Sequence, residues 1–253
     1  MKRLLYFGIV FVSILLLLVF VSDFILGKTT VFLTLKEAVK ELVFSIKRGT
    51  VLQAPPVVYY IAPNGAGNHD GSSFANAFNF TQSIQLANSN TLPMIFLLDA
   101  GNYKNFSITS GINRSDWNQG VIWKSFENNK AIFSSFTISG KFERYFSFED
   151  IKIEPGPEAI GPTKSIIVIG NSDHLHFNGI QIIGNWTGNV STTAGTGFWF
   201  PPDFINGPII DDIVIENSLI RNISGGIQFS NKVGTGYIVR NNTIGDLARS
   251  SIL

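Results

Sequence analysis

The sequence predicts an all-β chain wound into a solenoid of stacked coils, preceded by an apolar N-terminal segment. Three observations carry this expectation. From Tyr59 onward, short runs rich in β-branched and aromatic residues alternate with Gly and Asn turns. Four of these runs align without gaps, at Phe146–Ile153, Leu175–Ile182, Ile213–Ile220 and Tyr237–Ile244. The composition also changes abruptly, since no Asn occurs before Asn64 and Asn is among the commonest residues after it.

The elements follow in order. Residues 1–27 open with Met1-Lys2-Arg3 and run from Leu4 to Ser22 without a charge. An apolar run of about 18 or more residues is long enough to span a bilayer as a helix. Lys2 and Arg3 would hold its start in the cytoplasm and put the rest outside. A cleaved signal peptide is the alternative, with Ile25-Leu26-Gly27 as a poor cleavage site. Either way the protein is expected at the cell surface or outside the cell, with a membrane contact through the N-terminal helix in the first case. Residues 28–57 hold an amphipathic helix over 35–47, with Leu35, Val39, Leu42, Val43 and Ile46 at helical spacing. It reads as a stalk or cap, or else as a membrane-surface or self-association helix. Gly49 and Pro55-Pro56 end it, and residues 58–253 form the main domain.

In the repeated unit, strand alternation puts Phe146, Leu175, Ile213 and Tyr237 inside, followed by Phe148, Phe177, Ile215 and Val239. Asp150, Gly179, Asn217 and Asn241 come next, all residue types that accept tight or left-handed turns. Ile153, Ile182, Ile220 and Ile244 make a third buried column. The units are offset by 29, 38 and 24 residues, so each is one coil with loops of variable length.

Two stretches carry a resemblance. One is Ile213-Val-Ile-Glu-Asn-Ser-Leu-Ile-Arg-Asn222 with Ser224-Gly-Gly-Ile227 behind it. The other is the opening Tyr59-Tyr60-Ile61-Ala62-Pro63-Asn64-Gly65, then His69-Asp70-Gly71-Ser72-Ser73, Ala75–Phe78 and Ala100-Gly101-Asn102-Tyr103. On these residues the sequence resembles the right-handed parallel β-helix proteins of the pectate-lyase-like group, over residues 58–253. The resemblance implies a first strand, a short capping helix over Thr81–Ser89 and a strand over Pro93–Asp99. It speaks for fold and not for activity, because one fold hosts many functions. Leu253 falls within a coil wall with no capping helix after it, so a truncated chain is expected, or a partner covering the open coil.

Several function classes are excluded or disfavoured. A net charge of +1 with no basic run argues against nucleic acid as a partner. With no cysteine there is no disulfide scaffold, thiolate metal site or thiol nucleophile. Phosphate-binding glycine loops, serine-nucleophile elbows and zinc-protease motifs are missing. Asp211-Asp212 is an adjacent acidic pair in the late coils, but neighbours on a strand face opposite ways, which disfavours a two-carboxylate hydrolase.

The outward positions give the candidate site. One column reads Ser147, His176, Val214, Ile238, and the next Glu149, Asn178, Glu216, Arg240, with Glu216 beside Arg240. Such a ladder suits a long polymer. Removing the C5 proton of a uronic acid needs a cation to neutralise the carboxylate and a base to take the proton. The resemblance implies acidic calcium ligands and an Arg or Lys base. Arg240, Glu216 and His176 are the candidate catalytic residues, with Lys152 as another possible base. Glu149, Glu216 and Asp212 are the candidate Ca2+ ligands, and Asn178 and Glu149 would touch substrate. The expected function is lyase-type β-elimination on an acidic polysaccharide. The alternative is a glycan-binding or adhesin-like surface protein without turnover.

An insertion over Gly184–Pro208 adds Trp186 and the run Phe198-Trp199-Phe200-Pro201-Pro202. Trp186 and Trp199 are expected on an exposed loop, offering flat faces to sugar rings; a loop folded back over the coil wall is the alternative. His174 and His176, at i and i+2, would share a face and could hold a metal, with Asp173 as a third donor. Asn79, Asn105, Asn113, Asn185, Asn189, Asn222 and Asn241 each begin a glycosylation sequon, so a glycoprotein is possible in a eukaryotic host.

Overall fold

The computed structural model describes residues 55–247, apart from 110, 162, 190, 202–210 and 230–234. The expected membrane or signal helix, the amphipathic helix over 35–47 and the open end near Leu253 lie outside the described residues. Among the described residues, no helix is long and apolar enough to cross a membrane.

The described chain is a parallel β-helix whose coils present three walls. Wall 1 stacks β1 (Val57–Ile61), β2 (Met94–Leu98), β4 (Val121–Ser125), the end of β5 (Ala131–Glu149), the end of β7 (Ser165–Asn178), β10 (Ile213–Glu216) and β13 (Ile238–Arg240). Wall 2 stacks the starts of β3 (Gly101–Ile108) and β5, then β6 (Lys152–Ile153), β8 (Gln181–Ile183), β11 (Leu219–Ile223) and β14 (Thr243–Leu247). Wall 3 joins the later part of β3, the middle of β5, the start of β7, β9 (Thr196–Phe200) and β12 (Gly225–Phe229). Each of these ladders is parallel, as coils wound in one direction require.

The register matches the alternation in the sequence. Phe146, Leu175 and Ile213 align inside wall 1, and Phe148, Phe177, Ile215 and Val239 align two residues on. Ile153, Ile182, Ile220 and Ile244 align inside wall 2. Asp150, Gly179, Asn217 and Asn241, at the corner between the walls, all have positive φ, between 52° and 67°. This corner needs the left-handed conformation, which Gly, Asn and Asp adopt at low cost.

Large rings fill the interior. Phe96, Trp123, Phe148 and Phe177 stack down wall 1 with centroids 5.4, 5.3 and 6.1 Å apart and planes within 19° of parallel. All four are fully buried. The spacing is one rung of a parallel sheet, so aromatic stacking and strand pairing reinforce each other.

The first coil has no strands on walls 2 and 3. Helix α1 (Phe80–Ser89) stands there instead, with Phe80, Ser83, Ile84 and Ala87 turned inward. Phe80 packs on Tyr103, Phe106, Trp123 and Phe133, and the Trp123 indole donates to Ser83 Oγ at 3.0 Å. A capping box starts the helix: Asn79 Oδ1 accepts from the Gln82 amide at 2.9 Å, and Gln82 Oε1 accepts from the Asn79 amide at 2.8 Å. At the other end the buried Arg114 guanidinium donates to the carbonyls of Ala87 and Asn90, where a helix leaves carbonyls unpaired.

Wall 3 brings a correction. Trp199 is not on an exposed loop; it belongs to β9, between Val168 and Gln228 on the outer face. Phe198 and Phe200 on either side of it point into the core. Phe198, Trp199 and Phe200 alternate inward and outward as strand residues do, so this part of the expected insertion is an ordinary coil wall.

Candidate functional site

The outer face of wall 1 carries the site. Its polar column runs Lys124, Glu149, Asn178, Glu216, Arg240, one residue per coil. Beside it runs Ile122, Ser147, His176, Val214, Ile238. The two columns are set by alternation on the same strands, and the buried ring stack fixes their height.

The structure brings His176, Glu216 and Arg240 together on three successive rungs. His176 Nε2 lies 2.8 Å from Glu216 Oε1, and Arg240 Nε donates to Glu216 Oε2 at 2.5 Å. The Glu216 side chain is only 11% exposed, whereas that of Arg240 is 59% exposed. The hydrogen bond from Arg240 holds the Glu216 carboxyl below the usual carboxylate range; burial opposes this, and the hydrogen bond from His176 assists it. An ionised carboxylate only accepts, so His176 donates from Nε2, and in the neutral imidazole the lone pair is then on Nδ1.

The other end of the column is also paired. Lys124 Nζ lies 3.3 Å from Glu149 and 3.1 Å from Asp150, and the Asp150 hydrogen bond raises its pKa. Asn178 accepts from the Asn217 side-chain amide at 2.8 Å, which ties the column to the corner turn. Lys124 was not among the residues expected from the sequence, although Val121-Ile-Trp-Lys124 occupies the same register as Phe146-Ser-Phe-Glu149.

Other expected residues lie elsewhere. Lys152 is on wall 2, paired with Glu154 at 2.5 Å, because the turn at Asp150 carries the chain around the corner before it. Asp212 has φ 50° and sits at the entry edge of wall 1, where its carboxylate meets His174 Nε2 at 3.0 Å. His174 and His176 do not act as a pair on one face. His174 has φ 54°, which breaks the strand alternation, and its Nδ1 lies 2.9 Å from Asp173 Oδ1. Asp173 in turn accepts from Arg144 Nε at 2.6 Å. Trp186 is exposed on the connection from β8 to β9, at the corner between walls 2 and 3 and away from wall 1.

The three expected calcium ligands therefore belong to three separate groups. Glu149 faces Lys124, Glu216 faces His176 and Arg240, and Asp212 faces His174. Among the described residues no group of three or more His, Asp or Glu side chains is arranged to hold a metal ion. These residues do not fit one calcium site as they stand.

No family model matches the chain, and no curated protein matches it. Among solved structures it is similar to pectate lyase Pel9A, with a TM-score of 0.56 and 15% identity over 79% of this chain and 50% of that one. It is more distantly similar to a rhamnogalacturonan lyase, with a TM-score of 0.42 and 13% identity over 74% of this chain and 51% of that one. The chain thus spans about half the length of each. The likeness to the first is one of fold, and the fold is the pectate-lyase-like parallel β-helix.

Proposed function

We propose that this protein is exported, binds an acidic polysaccharide along wall 1 and cleaves it by β-elimination at His176, Glu216 and Arg240. The observation that supports this reading is the contact of those three side chains on adjacent rungs. Arg240, with its exposed guanidinium, neutralises the uronate carboxylate and so acidifies the C5 proton. His176 Nδ1 takes that proton, the C4–C5 double bond forms, and the C4–O4 bond breaks. The electron pair leaves with the glycosidic oxygen, which is protonated from water or from His176. Glu216 stays ionised and holds the imidazole tautomer, as a positioning residue. Arg240 is not the base in this scheme, because its guanidinium stays charged and engages Glu216. No step runs through calcium.

A second reading is supported by the pairing along the column. The Arg240 side chain is 59% exposed beside the sheltered Glu216, so the wall offers a polyanion a cation whether or not it is turned over. One assay separates the two readings. The protein is incubated with polygalacturonate, with added Ca2+ or with chelator, and the ultraviolet absorbance of the unsaturated uronate is followed. The lyase reading expects a rise that His176→Ala lowers by about 10²- to 10⁴-fold while polymer binding is kept. Retention on the polymer with no absorbance change in either condition selects the glycan-binding reading. Neither absorbance nor retention overturns both for this polymer.

A further inference from the structure

The entry edge of wall 1 carries a row of rings that the cluster at His176 does not use. Trp117, Tyr145 and His174 follow one another from coil to coil. The Trp117 and Tyr145 rings are 5.7 Å apart at 90°, and the Tyr145 and His174 rings are 4.2 Å apart at 33°. Trp117 belongs to a short 3-10 turn, Trp117–Gln119, just before β4, and remains 46% exposed. Its indole lies against Gly120, where a Cβ would come within 3.2 Å of the ring, so the glycine admits it. By the pairing of Val121 with Phe146, Gly120 occupies the rung position of Tyr145. The Trp117 ring therefore stands above Tyr145 on the next coil.

The row is held stiffly. His174 is fixed from both sides by Asp173 and Asp212, and Asp173 is held by Arg144. The Arg144 guanidinium lies 5.7 Å from the Tyr145 ring centre. Tyr145 and His174 have φ 58° and 54°, a region that a bulky residue seldom occupies and that Gly236 fills at the corresponding point of the last coil. Aromatic rings stand here although glycine or asparagine would fit the turn more cheaply.

Tyr145 and His174 lie two residues before Ser147 and His176, about 6.6 Å along the strand. A polymer running along the coil axis over the His176 column also passes this edge. We infer that Trp117, propped by Tyr145 and His174, is a stacking subsite for the apolar face of a sugar ring. It binds neighbouring units of the polysaccharide whichever charge they carry. The inference rests on the reading of wall 1 as a polysaccharide surface. Flat rings held in place add contact area with little ordering cost.

The test measures binding of the whole protein to polygalacturonate and to its carboxyl-reduced, neutral form. Trp117→Ala is expected to weaken both polymers by about three- to tenfold, and Trp117→Phe to restore most of that loss. Tyr145→Asn suits the left-handed turn, so weaker binding without a lower melting temperature reports the ring's positioning role. Arg240→Gln is expected to weaken the charged polymer alone. If Trp117→Ala binds both polymers like wild type while Arg240→Gln weakens the charged one, the subsite is wrong and the reading of wall 1 stands. If Arg240→Gln changes nothing while Trp117→Ala weakens both, the subsite stands and the charged cluster is not the polymer site. If wild type holds neither polymer, the reading of wall 1 falls and the subsite with it.

Discussion

Replacing Glu216 with Gln keeps the shape of the side chain and removes its charge. The carboxylate accepts from Arg240 at 2.5 Å and from His176 at 2.8 Å while only 11% exposed. A charge-assisted hydrogen bond contributes about 1.5–3 kcal/mol when sheltered. The Arg240 bond is worth less, about 0–1 kcal/mol, because the guanidinium side chain is 59% exposed and screened by water. The amide of Gln recovers about 1 kcal/mol as a neutral acceptor. The net expectation for Glu216→Gln is a loss of about 0.5–3 kcal/mol at neutral pH, measured by urea unfolding. The pH dependence has a definite sign. Glu216 has its pKa lowered by folding, so its contribution is present above the ordinary carboxylate pKa and is lost as pH falls through the depressed folded value. The gap between wild type and Glu216→Gln should therefore close on acidification below about pH 4. The same change acts on turnover. An amide nitrogen facing His176 donates to Nε2, which moves the imidazole proton to Nδ1 and removes the base. A loss of about 10²- to 10⁴-fold in kcat is expected, with a much smaller change in KM. A Glu216→Gln protein with unchanged stability at neutral pH and unchanged kcat would show that the three side chains do not work together.

Changes at two further positions probe the frame that holds the cluster. Trp123→Ala should cost about 3–5 kcal/mol in urea unfolding, since it empties the middle of the ring stack between Phe96 and Phe148. Trp123→Phe keeps the stack and loses mainly the bond to Ser83, so it should cost about 1–2 kcal/mol; equal losses for the two would refute the stack as a support. Gly179→Ala should destabilise by about 1–3 kcal/mol, because φ is +67° there and the new Cβ would meet Asp150 Oδ1 at 2.5 Å. A melting temperature equal to that of wild type would count against a required left-handed corner.

Wall 1 was legible because two signals coincide in it. Period-2 alternation marks which residues point inward, and the left-handed corner at Asp150, Gly179, Asn217 and Asn241 restricts residue type at a fixed offset. Together they place Glu216 beside Arg240 from the sequence alone. Wall 3 was not legible, because its distance from wall 2 varies. Twelve residues, 184–195, separate β8 from β9, whereas Ser224 alone separates β11 from β12. In β5 and β7 the chain runs from one wall to the next within a single strand, so no break between strands marks the corner. Lys124 is not marked in the sequence, because its strand ends in Ser125 and not in Asp, Gly or Asn. The entry edge was hidden for the opposite reason: Tyr145 and His174 adopt left-handed backbone that their residue types do not advertise.

A parallel coil turns distance in sequence into adjacency in space, which is why this cluster needs no dedicated loop. His176 and Glu216 are 40 residues apart, and Glu216 and Arg240 are 24 apart, yet each pair occupies neighbouring rungs. The strand spacing of about 4.8 Å is short enough for one carboxylate to reach both neighbours and long enough to keep their heads distinct. The charge pattern follows from the same geometry. At the Lys124 end, one ammonium faces two carboxylates, Glu149 and Asp150, so a polyanion gains little there. At the other end a single carboxylate lies between a histidine and an arginine, and the arginine is the exposed partner. Within the polar column, the last rungs thus set an exposed guanidinium and an imidazole on either side of one carboxylate, which is the arrangement the proposed reading uses. On the proposed reading, the reaction belongs at the rungs where an exposed cation stands beside a histidine, and not where the cation is matched by two carboxylates.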